Sequence, residues 1–372
     1  MRKLIKDVNI FDGRSENLRE NCKIVIENNL VKEIVQTDIS EESFDEIIDG
    51  KKMTAMPGMI DAHVHLGHFF SDTYSPEEDM DYGIGVSAAV AKEMLMAGFT
   101  TVRDAGGVVM GLKKCFDKNI LAGPRIFPSN SAISQTCGHG DSLGHIRRDI
   151  QYQIPTFSVL ADGNDEVRRA VREQLYKGAS QIKIMAGGGC TSKHDPLLTQ
   201  QFSLDEMKTA VECAKDYGTY VMAHLYTPAS IMRAVKAGVK SFEHAHMMDE
   251  ECAKALASEE LFVAPMPQLG KMFPEGTENI NPKVALVIKH EYNATDLINK
   301  YDLKIVFGTD LMLFDTDFKP EGYKIPGNQD LSFYKERFGS YKGLLAATGN
   351  CNDLFALSTY LNPYQEGELG VL

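Results

Sequence analysis

From residue 58 onward, short apolar runs alternate with stretches of helical periodicity. Parallel strands cannot be joined by tight turns, and a helix is the usual crossover between them, so this alternation predicts successive βα units. The strand candidates are MIDAH (59–63), TTVRDA (100–105), RIFPSN (125–130), QIKIMA (181–186), TYVMAH (219–224), KSFEH (240–244), LFVAP (261–265) and KIVFGTD (304–310). Eight such units favour an α/β fold of the (β/α)8 TIM barrel type over the alternative, an open doubly wound sheet.

The stretches between these runs carry helix start and stop signals. Ser203 and Glu206 have the spacing of a capping box, and Gly218 marks the end of the same helix. Two further helices are expected to end at Gly98 and Gly238. The chain therefore has the helical connections that a parallel sheet or barrel needs.

Residues 1–57 differ from the rest of the chain because short β-rich runs follow one another with turns between them. The runs are LIKDVNIF, CKIVIENN and LVKEIVQ. This pattern predicts a small antiparallel sheet, which we interpret as an N-terminal β-sandwich subdomain. Residues 58–350 then form the barrel, and residues 351–372 are expected to begin a return to the subdomain, whose C-terminal part is short or missing.

Charge and cysteine content limit the expected partners. The 52 acidic and 39 basic residues give a net charge of −13, which repels nucleic acid and anionic membranes, so a small-molecule or dipeptide substrate is expected. The seven cysteines are scattered and form no C-x-x-C pair, which is typical of free thiols in a reducing compartment. Because we find no signal-peptide pattern and no long apolar stretch, the expected location is the cytoplasm. A homo-oligomer is compatible with this composition.

The sharpest local signal for chemistry is DAHVHLG (61–67), in which His63 and His65 close the first predicted strand. Residues two apart in a strand point to the same side, so both imidazoles can reach one ion. Imidazole is a good ligand for zinc and related divalent metals. A chance pair of histidines at a strand edge is the alternative, and the motif alone does not decide between the two.

Three more polar residues end later strands: His224, His244 and Asp310. Barrel enzymes place their active sites at the C-terminal ends of the strands. Taken singly, a histidine at such a place is more often structural, and an aspartate is often a helix N-cap. Four histidines and one aspartate at equivalent strand ends together favour a metal site.

Lys183 lies inside the apolar run QIKIMAGGG, where an unpaired ammonium group would be costly to bury. Burial lowers the pKa of a lysine and leaves a nucleophilic amine, which can take up carbon dioxide and become a carbamate. A carbamate has two oxygens, one for each of two metal ions. Pairing with a neighbouring acid, or extension toward the strand end, is the alternative interpretation of this residue.

Together these motifs resemble the amidohydrolase superfamily, in its subtype with a binuclear metal centre bridged by a carboxylated lysine. Further segments resemble the branch of Xaa-Pro dipeptidases and imidazolonepropionase-like proteins, and the resemblance extends from about residue 8 to residue 350. These segments are AGFTTVRDAGG (97–107), GPRIFPSNSAISQTCGHGD (123–141), QFS (201–203), AHLYTP (223–228) and FGTDL (307–311).

The resemblance implies a binuclear metal centre. The implied ligands are His63, His65, Lys183, His224, His244 and Asp310. The two histidines of DAHVHLG and Asp310 would hold one divalent ion, and the other two histidines would hold the second. Carboxylated Lys183 and a hydroxide would be shared between the ions, with zinc as the expected metal. Asp310 would also be catalytic, since it would take the proton of the hydroxide and pass it to the leaving amine.

The resemblance also implies residues that contact the substrate. In similar enzymes, a histidine and a tyrosine at the positions of His139 and Tyr226 contact the substrate's carboxylate or the oxyanion. We therefore expect His139 and Tyr226 to be catalytic and substrate-binding residues. Asp141, in the same HGD segment as His139, is expected to bind substrate as well.

The implied function is hydrolysis of amide or peptide bonds in small substrates, such as Xaa-Pro dipeptides or N-acyl amino acids, through the shared hydroxide. A lactonase, a phosphotriesterase or a cyclic amidohydrolase on the same centre is an alternative, and a non-catalytic barrel scaffold is another. Two features depart from the family pattern: His246 stands where a small residue is frequent, and the loop after Asp310 reads LMLFDTDFKPEGYK (311–324). Both lie near the predicted active-site mouth, so they bear on the choice of substrate.

Overall fold

The computed structural model of the 372-residue chain describes residues 1–70, 76–107, 109–141, 157–192, 195–268, 276, 281–314 and 326–358. The chain divides into two compact units, of which one contains Met1–Met59 and the other begins at Ile60. The boundary predicted between residues 57 and 58 lies close to this division. Most of the loop that follows Asp310 in the sequence, residues 315–324, lies outside the described residues.

The first unit contains a mixed five-stranded sheet. Its strands are β1 (Arg2–Ile10), β2 (Arg19–Glu27), β3 (Leu30–Val35), β4 (Glu46–Asp49) and β5 (Thr54–Ala55). The strand order is β3-β2-β1-β4, and β5 also pairs with β1. Alternate residues of β1 and β2 face one side of the sheet, where Val8, Ile10, Cys22 and Ile24 form an apolar cluster.

The prediction that the sheet in residues 1–57 is antiparallel is wrong for two of its strands. β1, β2 and β3 pair in antiparallel fashion, but β4 and β5 run parallel to β1. After β3 the chain passes through a 3₁₀ turn at Glu41–Ser43 and crosses to the edge of β1 that does not pair with β2. A crossover of this kind lets β4 run parallel to β1. The described residues of this unit form one sheet, so the second layer of a β-sandwich is not seen among them.

The second unit is built on parallel strands. They are β6 (Met59–Phe70), β7 (Phe99–Asp104), β8 (Arg125–Pro128), β9 (Ala132–Ser134), β10 (Ser158–Leu160), β11 (Ile182–Met185), β12 (Val221–Leu225), β13 (Ser241–His244), β14 (Phe262–Ala264), β15 (Lys304–Ile305) and β16 (Leu311–Phe314). One sheet has the order β10-β9-β11-β12-β13-β14-β15 and the other the order β16-β6-β7-β8. The described ladders between these strands are parallel, which confirms the predicted α/β class.

Backbone hydrogen bonds also connect the two parallel sheets. The amide of Ala62 in β6 donates to the carbonyl of Phe307, which follows β15, at 2.8 Å. On the other side, the amide of Ser180, just before β11, donates to the carbonyl of Pro128 in β8 at 2.7 Å. The stretch after β15 therefore lies beside β6, and the start of β11 lies beside the end of β8.

Helices connect the strands of the second unit. The described helices are α1 (Pro76–Met96), α2 (Met110–Asp117), α3 (Gly163–Tyr176), α4 (Leu204–Asp216), α5 (Pro228–Ala237), α6 (Glu250–Ser258), α7 (Pro282–Lys300), α8 (Pro326–Phe338), α9 (Ser340–Ala346) and α10 (Gly349–Ala356). Among the described residues, none of the helices combines the length and the apolar character needed to cross a bilayer. Since α10 continues to Ala356, the return to the small subdomain predicted from residue 351 does not begin there, and residues 359–372 lie outside the described residues.

The predicted helix signals are found in the structure. The Ser203 side chain accepts a hydrogen bond from the Glu206 amide while the Glu206 side chain accepts one from the Ser203 amide, which completes the capping box of α4. Gly238 ends α5 with a φ of 93°, a left-handed conformation that glycine adopts without strain. The seven cysteines are free thiols, as their spacing predicts.

The last predicted strand, KIVFGTD (304–310), is shorter in the structure. β15 ends at Ile305 and β16 begins at Leu311, and between them the Asp310 amide donates to the His63 carbonyl at 2.8 Å. Asp310 has a φ of 55°, which interrupts the extended backbone. β9, β10 and β16 are further strands that the sequence analysis did not predict.

Asp330 on α8 leads to a prediction about stability. Asp330 is 6% exposed, and its Oδ2 has no hydrogen-bond partner among the described residues. Burial raises the pKa of Asp330 to about 8, and the Asp61 carboxylate adds to the effect. The folded pKa therefore lies above the unfolded value, so folding takes up a proton between about pH 4 and pH 8 and the ionised form is disfavoured. This group lowers the free energy of unfolding as the pH rises through that window.

Replacing Asp330 with asparagine is expected to remove this pH dependence. At pH 8 the variant should be more stable than the parent by about 1 to 3 kcal/mol, with little difference near pH 4. Urea unfolding at several pH values measures the effect, and Asp296→Asn, at an exposed position of α7, is the matched control. An identical pH dependence in the parent and in Asp330→Asn would contradict the prediction.

Candidate metal centre

His63 and His65, two residues apart in β6, both contact Asp310. Oδ1 of Asp310 lies 3.3 Å from Nε2 of His63 and 3.2 Å from Nε2 of His65. One ligand atom from each of the three residues lies within 4.8 Å of the others. The spacing of two in a strand thus brings both imidazoles to one carboxylate, in a group that could hold a metal ion.

The other three predicted ligands extend this group. Nζ of Lys183 lies 3.4 Å from Nε2 of His63, and the ring centroids of His63 and His244 are 5.5 Å apart. The ring of His224 follows, 4.6 Å from that of His244. All six predicted ligand residues are at most 5% exposed. They form one buried cluster, called the candidate metal centre below.

Neighbouring strand ends assemble this cluster. Lys183 lies in β11, His224 in β12 and His244 at the end of β13, and these strands are adjacent in one sheet. His244 and Asp310 have φ values of 71° and 55°. A residue other than glycine is uncommon in this left-handed region, and such strain concentrates at functional sites.

Burial sets the protonation of the candidate metal centre. It lowers the pKa of His63 well below its usual value, with the Lys183 charge adding to the effect, and it lowers the pKa of His244 to about 3. A neutral imidazole keeps a lone pair that can bind a metal. Burial also lowers the pKa of Lys183 to about 8, which favours the neutral amine. Burial would raise the pKa of Asp310, but the hydrogen bond from His65 and the neighbouring imidazoles outweigh it and hold that pKa below its usual value.

The donor set fits a divalent metal ion. Nδ1 of His244 is buried and has no hydrogen-bond partner among the described residues. A buried polar atom without a partner is costly, and a bound ion would supply the missing contact. Imidazole nitrogens with a carboxylate are ligands that zinc and similar ions take in proteins.

Glu243 is a residue of this centre that the sequence analysis missed. Its Oε2 lies 2.6 Å from Nδ1 of His63, the ring nitrogen opposite the one that contacts Asp310, and Glu243 is 0% exposed. A carboxylate on the second nitrogen of a metal-binding histidine fixes the tautomer and the orientation of the ring. Glu243 is therefore placed to hold His63 in a ligating position.

Arg103 in turn holds Glu243. Its NH2 lies 3.0 Å from Oε1 of Glu243, and both side chains are 0% exposed. The Nε of Arg103 donates to the Ala62 carbonyl at 2.6 Å, and the hydroxyl of Ser241 donates to Oε1 of Glu243 at 2.6 Å. A buried ion pair is favourable only when its other polar atoms also form hydrogen bonds, and these two bonds pair further polar atoms of Arg103 and Glu243.

Replacing Glu243 with glutamine is expected to lower metal affinity by about 10- to 100-fold, because the anionic partner of His63 is lost while the shape is kept. Competition with a chelator on the folded protein measures the affinity, and circular dichroism checks the fold. Glu251→Gln, at an exposed position of α6, is the matched control. Unchanged affinity in a folded Glu243→Gln protein would show that Glu243 does not support the metal ligand.

His139 and Tyr226 lie beside the candidate metal centre. The ring of His139 is stacked on that of His224, with the centroids 4.2 Å apart and the planes 14° apart. The ring of Tyr226 lies 5.0 Å from that of His244, and its hydroxyl is 3.5 Å from Sγ of Cys190. Both predicted substrate residues are thus in contact with a predicted ligand.

Asp141 is not brought against the candidate metal centre by any contact among the described residues. Its Oδ2 accepts a hydrogen bond from the amide of Cys137 at 2.8 Å, and its own amide donates to the carbonyl of Gly138 at 3.0 Å. These bonds close the short turn that carries His139. The structure therefore places Asp141 where it stabilises this turn.

Asp195 is a second residue that the sequence analysis missed. Its Oδ2 lies 3.6 Å from Nδ1 of His139 and accepts a hydrogen bond from the Gly189 amide at 2.8 Å. The hydroxyl of Ser192 lies 3.0 Å from the same nitrogen of His139. A Cβ atom at Gly189 would lie 1.8 Å from the His139 ring, so this position of the GGG run has to be glycine for the ring to lie there. Asp195 therefore helps to orient His139.

The sequence of this chain is similar to that of known proteins. Residues 54–327 match the model of the amidohydrolase family. The ochratoxinase of Aspergillus niger is 34% identical over 265 residues, which are 65% of this chain and 54% of that protein. The chain thus spans about half the length of the curated relatives that it matches.

Solved structures of similar proteins cover nearly all of the chain. A prolidase complexed with N-methylphosphonate-L-proline superposes with a TM-score of 0.84 at 31% identity, over 96% of this chain and 88% of that one. An Xaa-Pro dipeptidase with methionine bound in its active site gives a TM-score of 0.82 at 27% identity, over 96% and 90%. Because the family model matches well over half of the chain, the chain belongs to the amidohydrolase family.

Proposed function

We propose that this chain is a metal-dependent hydrolase of amide or peptide bonds in small substrates, with Xaa-Pro dipeptides and N-acyl amino acids as the favoured classes. The observation that carries the proposal is the burial of all six predicted ligands in one cluster, with His139 and Tyr226 in contact with it. Similarity to a prolidase and to an Xaa-Pro dipeptidase favours a substrate with a free carboxylate.

The proposal includes closure of the two parallel sheets into a (β/α)8 barrel. The bonds from Ala62 to Phe307 and from Ser180 to Pro128, which connect the two sheets, support closure. A closed barrel would gather the C-terminal ends of β6, β11, β12 and β13 around one opening. The substrate would enter through that opening.

The proposal assigns two zinc ions to the candidate metal centre. His63, His65 and Asp310 would hold one ion, and the histidines of β12 and β13 would hold the other. Lys183, as a carbamate, would contribute one oxygen to each. When bound, the ions polarise a carbonyl group and lower the pKa of a nearby water molecule.

The residues of the chain then bind the substrate and move the proton. Asp310 is placed to accept a proton from the attacking water and to pass it to the leaving amine. Burial raises the pKa of Tyr226 well above its usual value, so its hydroxyl stays protonated and can donate a hydrogen bond to the oxygen of the scissile carbonyl. His139, oriented by Asp195, is placed to meet the free carboxylate of the substrate.

Hydrolysis of a matched panel tests the proposal. The zinc-loaded protein is assayed with alanyl-proline, an N-acetyl amino acid, a lactone and a phosphotriester, and the chelated protein is the control. The highest kcat/KM is expected for the dipeptide or the N-acyl amino acid, with no turnover after chelation. Turnover of only the lactone or the phosphotriester at full metal occupancy would overturn the proposed bond type. Less than one ion per chain after zinc addition would favour a non-catalytic scaffold.

A further inference from the structure

Two buried hydrogen-bond acceptors lie beside the candidate metal centre, after β13 and β14. They are Nδ1 of His246 and Oε1 of Gln268, and neither atom has a partner among the described residues. Both residues are 1% exposed. Buried polar atoms in proteins are normally hydrogen-bonded, so each of these atoms calls for a partner that donates.

The tautomer of His246 follows from its other ring nitrogen. Nε2 lies 3.3 Å from the carbonyl oxygen of Met266. A carbonyl only accepts hydrogen bonds, so Nε2 carries the proton, and the second nitrogen of a neutral imidazole is then an acceptor. Nδ1 of His246 is therefore an acceptor that meets no donor in the part of the chain that the structure describes.

The orientation of the Gln268 amide follows in the same way. Its Nε2 donates to the carbonyls of Gly308 and Thr309, at 3.0 and 3.2 Å. If the amide were turned over, its oxygen would face two carbonyl oxygens, which repel it. Oε1 of Gln268 is therefore a second acceptor, and no described residue donates a hydrogen bond to it.

Both side chains border the candidate metal centre. The ring of His246 lies 5.7 Å from that of Tyr226 and 6.1 Å from that of His244. The side-chain amide of Gln268 is hydrogen-bonded to the carbonyls of the two residues that directly precede Asp310. The first acceptor thus lies two residues after the predicted ligand His244. The second is held beside the segment that leads to Asp310, the predicted proton carrier.

We propose that Nδ1 of His246 and Oε1 of Gln268 form a subsite for the amino group of the substrate's N-terminal residue. This inference rests on the proposed function and narrows it. A dipeptide carries an N–H donor on the acyl side of the scissile bond, whereas a simple N-acyl amino acid has no donor there. Two acceptors match an amino group, which can donate to both.

The position of the subsite agrees with the proposed binding of the carboxylate. His139 follows β9, Tyr226 follows β12, and His246 and Gln268 follow β13 and β14. In the sheet, β12 lies between β9 on one side and β13 and β14 on the other. The carboxylate at His139 and the amino group at the subsite would therefore lie on opposite sides of Tyr226, with the scissile bond between them.

Two substrates of the same shape test the subsite. In isobutyryl-proline a methyl group replaces the amino group of alanyl-proline, so the pair has the same shape and differs in the donor and in its positive charge. The zinc-loaded protein is expected to favour alanyl-proline in kcat/KM by about tenfold or more, because without the amino group the buried acceptors stay unpaired. Equal kcat/KM for the two compounds would overturn the proposal.

Variants assign the preference to the two acceptors. His246→Phe removes the Nδ1 lone pair and keeps a flat ring at that position, and Gln268→Met removes the amide oxygen. Each variant is expected to bring the ratio of kcat/KM for the two compounds close to one. Gln174→Met removes from α3 a buried amide that has no hydrogen-bond partner among the described residues; it is the matched control and should keep the parent's ratio. A parent-like ratio in both site variants would overturn the proposal.

Calorimetric binding of the two compounds separates this inference from the proposed function. If neither compound is hydrolysed but alanyl-proline binds more tightly, and His246→Phe removes the difference, then the subsite stands and the proposed hydrolysis fails. If both compounds are hydrolysed at equal rates and bind equally, then the proposed function stands and the subsite fails. If neither compound binds, both are contradicted.

Discussion

Replacing Lys183 with alanine is expected to lower kcat/KM by about three orders of magnitude and to reduce bound metal below two ions per chain. Lys183 is 2% exposed, and its Nζ lies 3.4 Å from Nε2 of His63, so its shortening opens a gap at the middle of the cluster. The proposed bridging carbamate cannot form on alanine. Short carboxylic acids such as acetate should restore part of the activity, because a free carboxylate has the two oxygens that the carbamate would supply.

Measurements of metal content and hydrolysis, each with and without acetate, check this result. Lys208→Ala, at an exposed position of α4, is the matched control and should keep both metal and activity. Full activity and full metal content in Lys183→Ala would show that Lys183 is only structural. If activity is lost, acetate does not restore it and both ions are still bound, then Lys183 is needed for activity but does not bridge the ions.

The second large effect is expected for Asp310→Asn, which should lower kcat by about 10²- to 10⁴-fold with the metals largely retained. The amide oxygen of asparagine can still contact the ions, but the amide cannot take up a proton as the carboxylate does. Asp310 touches both His63 and His65, at 3.3 and 3.2 Å, so the isosteric change keeps the packing of the cluster.

Steady-state kinetics together with metal analysis separates the two possible roles of Asp310. A low kcat with two ions bound per chain is expected if Asp310 carries the proton. Loss of the ions together with the activity would reduce Asp310 to a metal ligand, and an unchanged kcat would remove it from catalysis. Asp216→Asn, at an exposed position of α4, is the matched control for the loss of one charge.

Local rules were sufficient for much of this fold. The spacing of two between His63 and His65 predicted that both imidazoles point to the same side, and in the structure both contact Asp310. The Ser203 capping box depends on residues three apart, and the structure contains it. The positions of the eight predicted strands could be read from apolar runs, because parallel strands buried on both faces are continuously apolar. These predictions use residues that are neighbours in the chain or in a regular element.

The direction of β4 and β5 could not be read in the same way. Whether a strand pairs in parallel or antiparallel fashion depends on where its connection crosses the sheet, and the apolar period is two in both cases. The stretch after β3 carries the chain to the other side of β1. A short polar connection of this kind has no pattern that shows its path.

Glu243 and Asp195 were missed for a related reason. Glu243 directly precedes His244, and neighbours in a regular strand point to opposite sides, so the pattern gave no reason to place both at one site. The left-handed backbone of His244 departs from that regularity, and Glu243 reaches His63 from a distance of 180 residues in the chain. Asp195 lies in a loop 56 residues from His139, a pairing that no local motif records.

The most direct test of the account is a crystal structure of the zinc-loaded protein, combined with metal analysis of the same sample. Density is expected for a carbamate that extends from Nζ of Lys183 and bridges two ions, with two ions per chain. The ions should lie among the side chains of His63, His65, His224, His244 and Asp310. An unmodified Lys183 with fewer than one ion per chain would contradict the proposed binuclear centre.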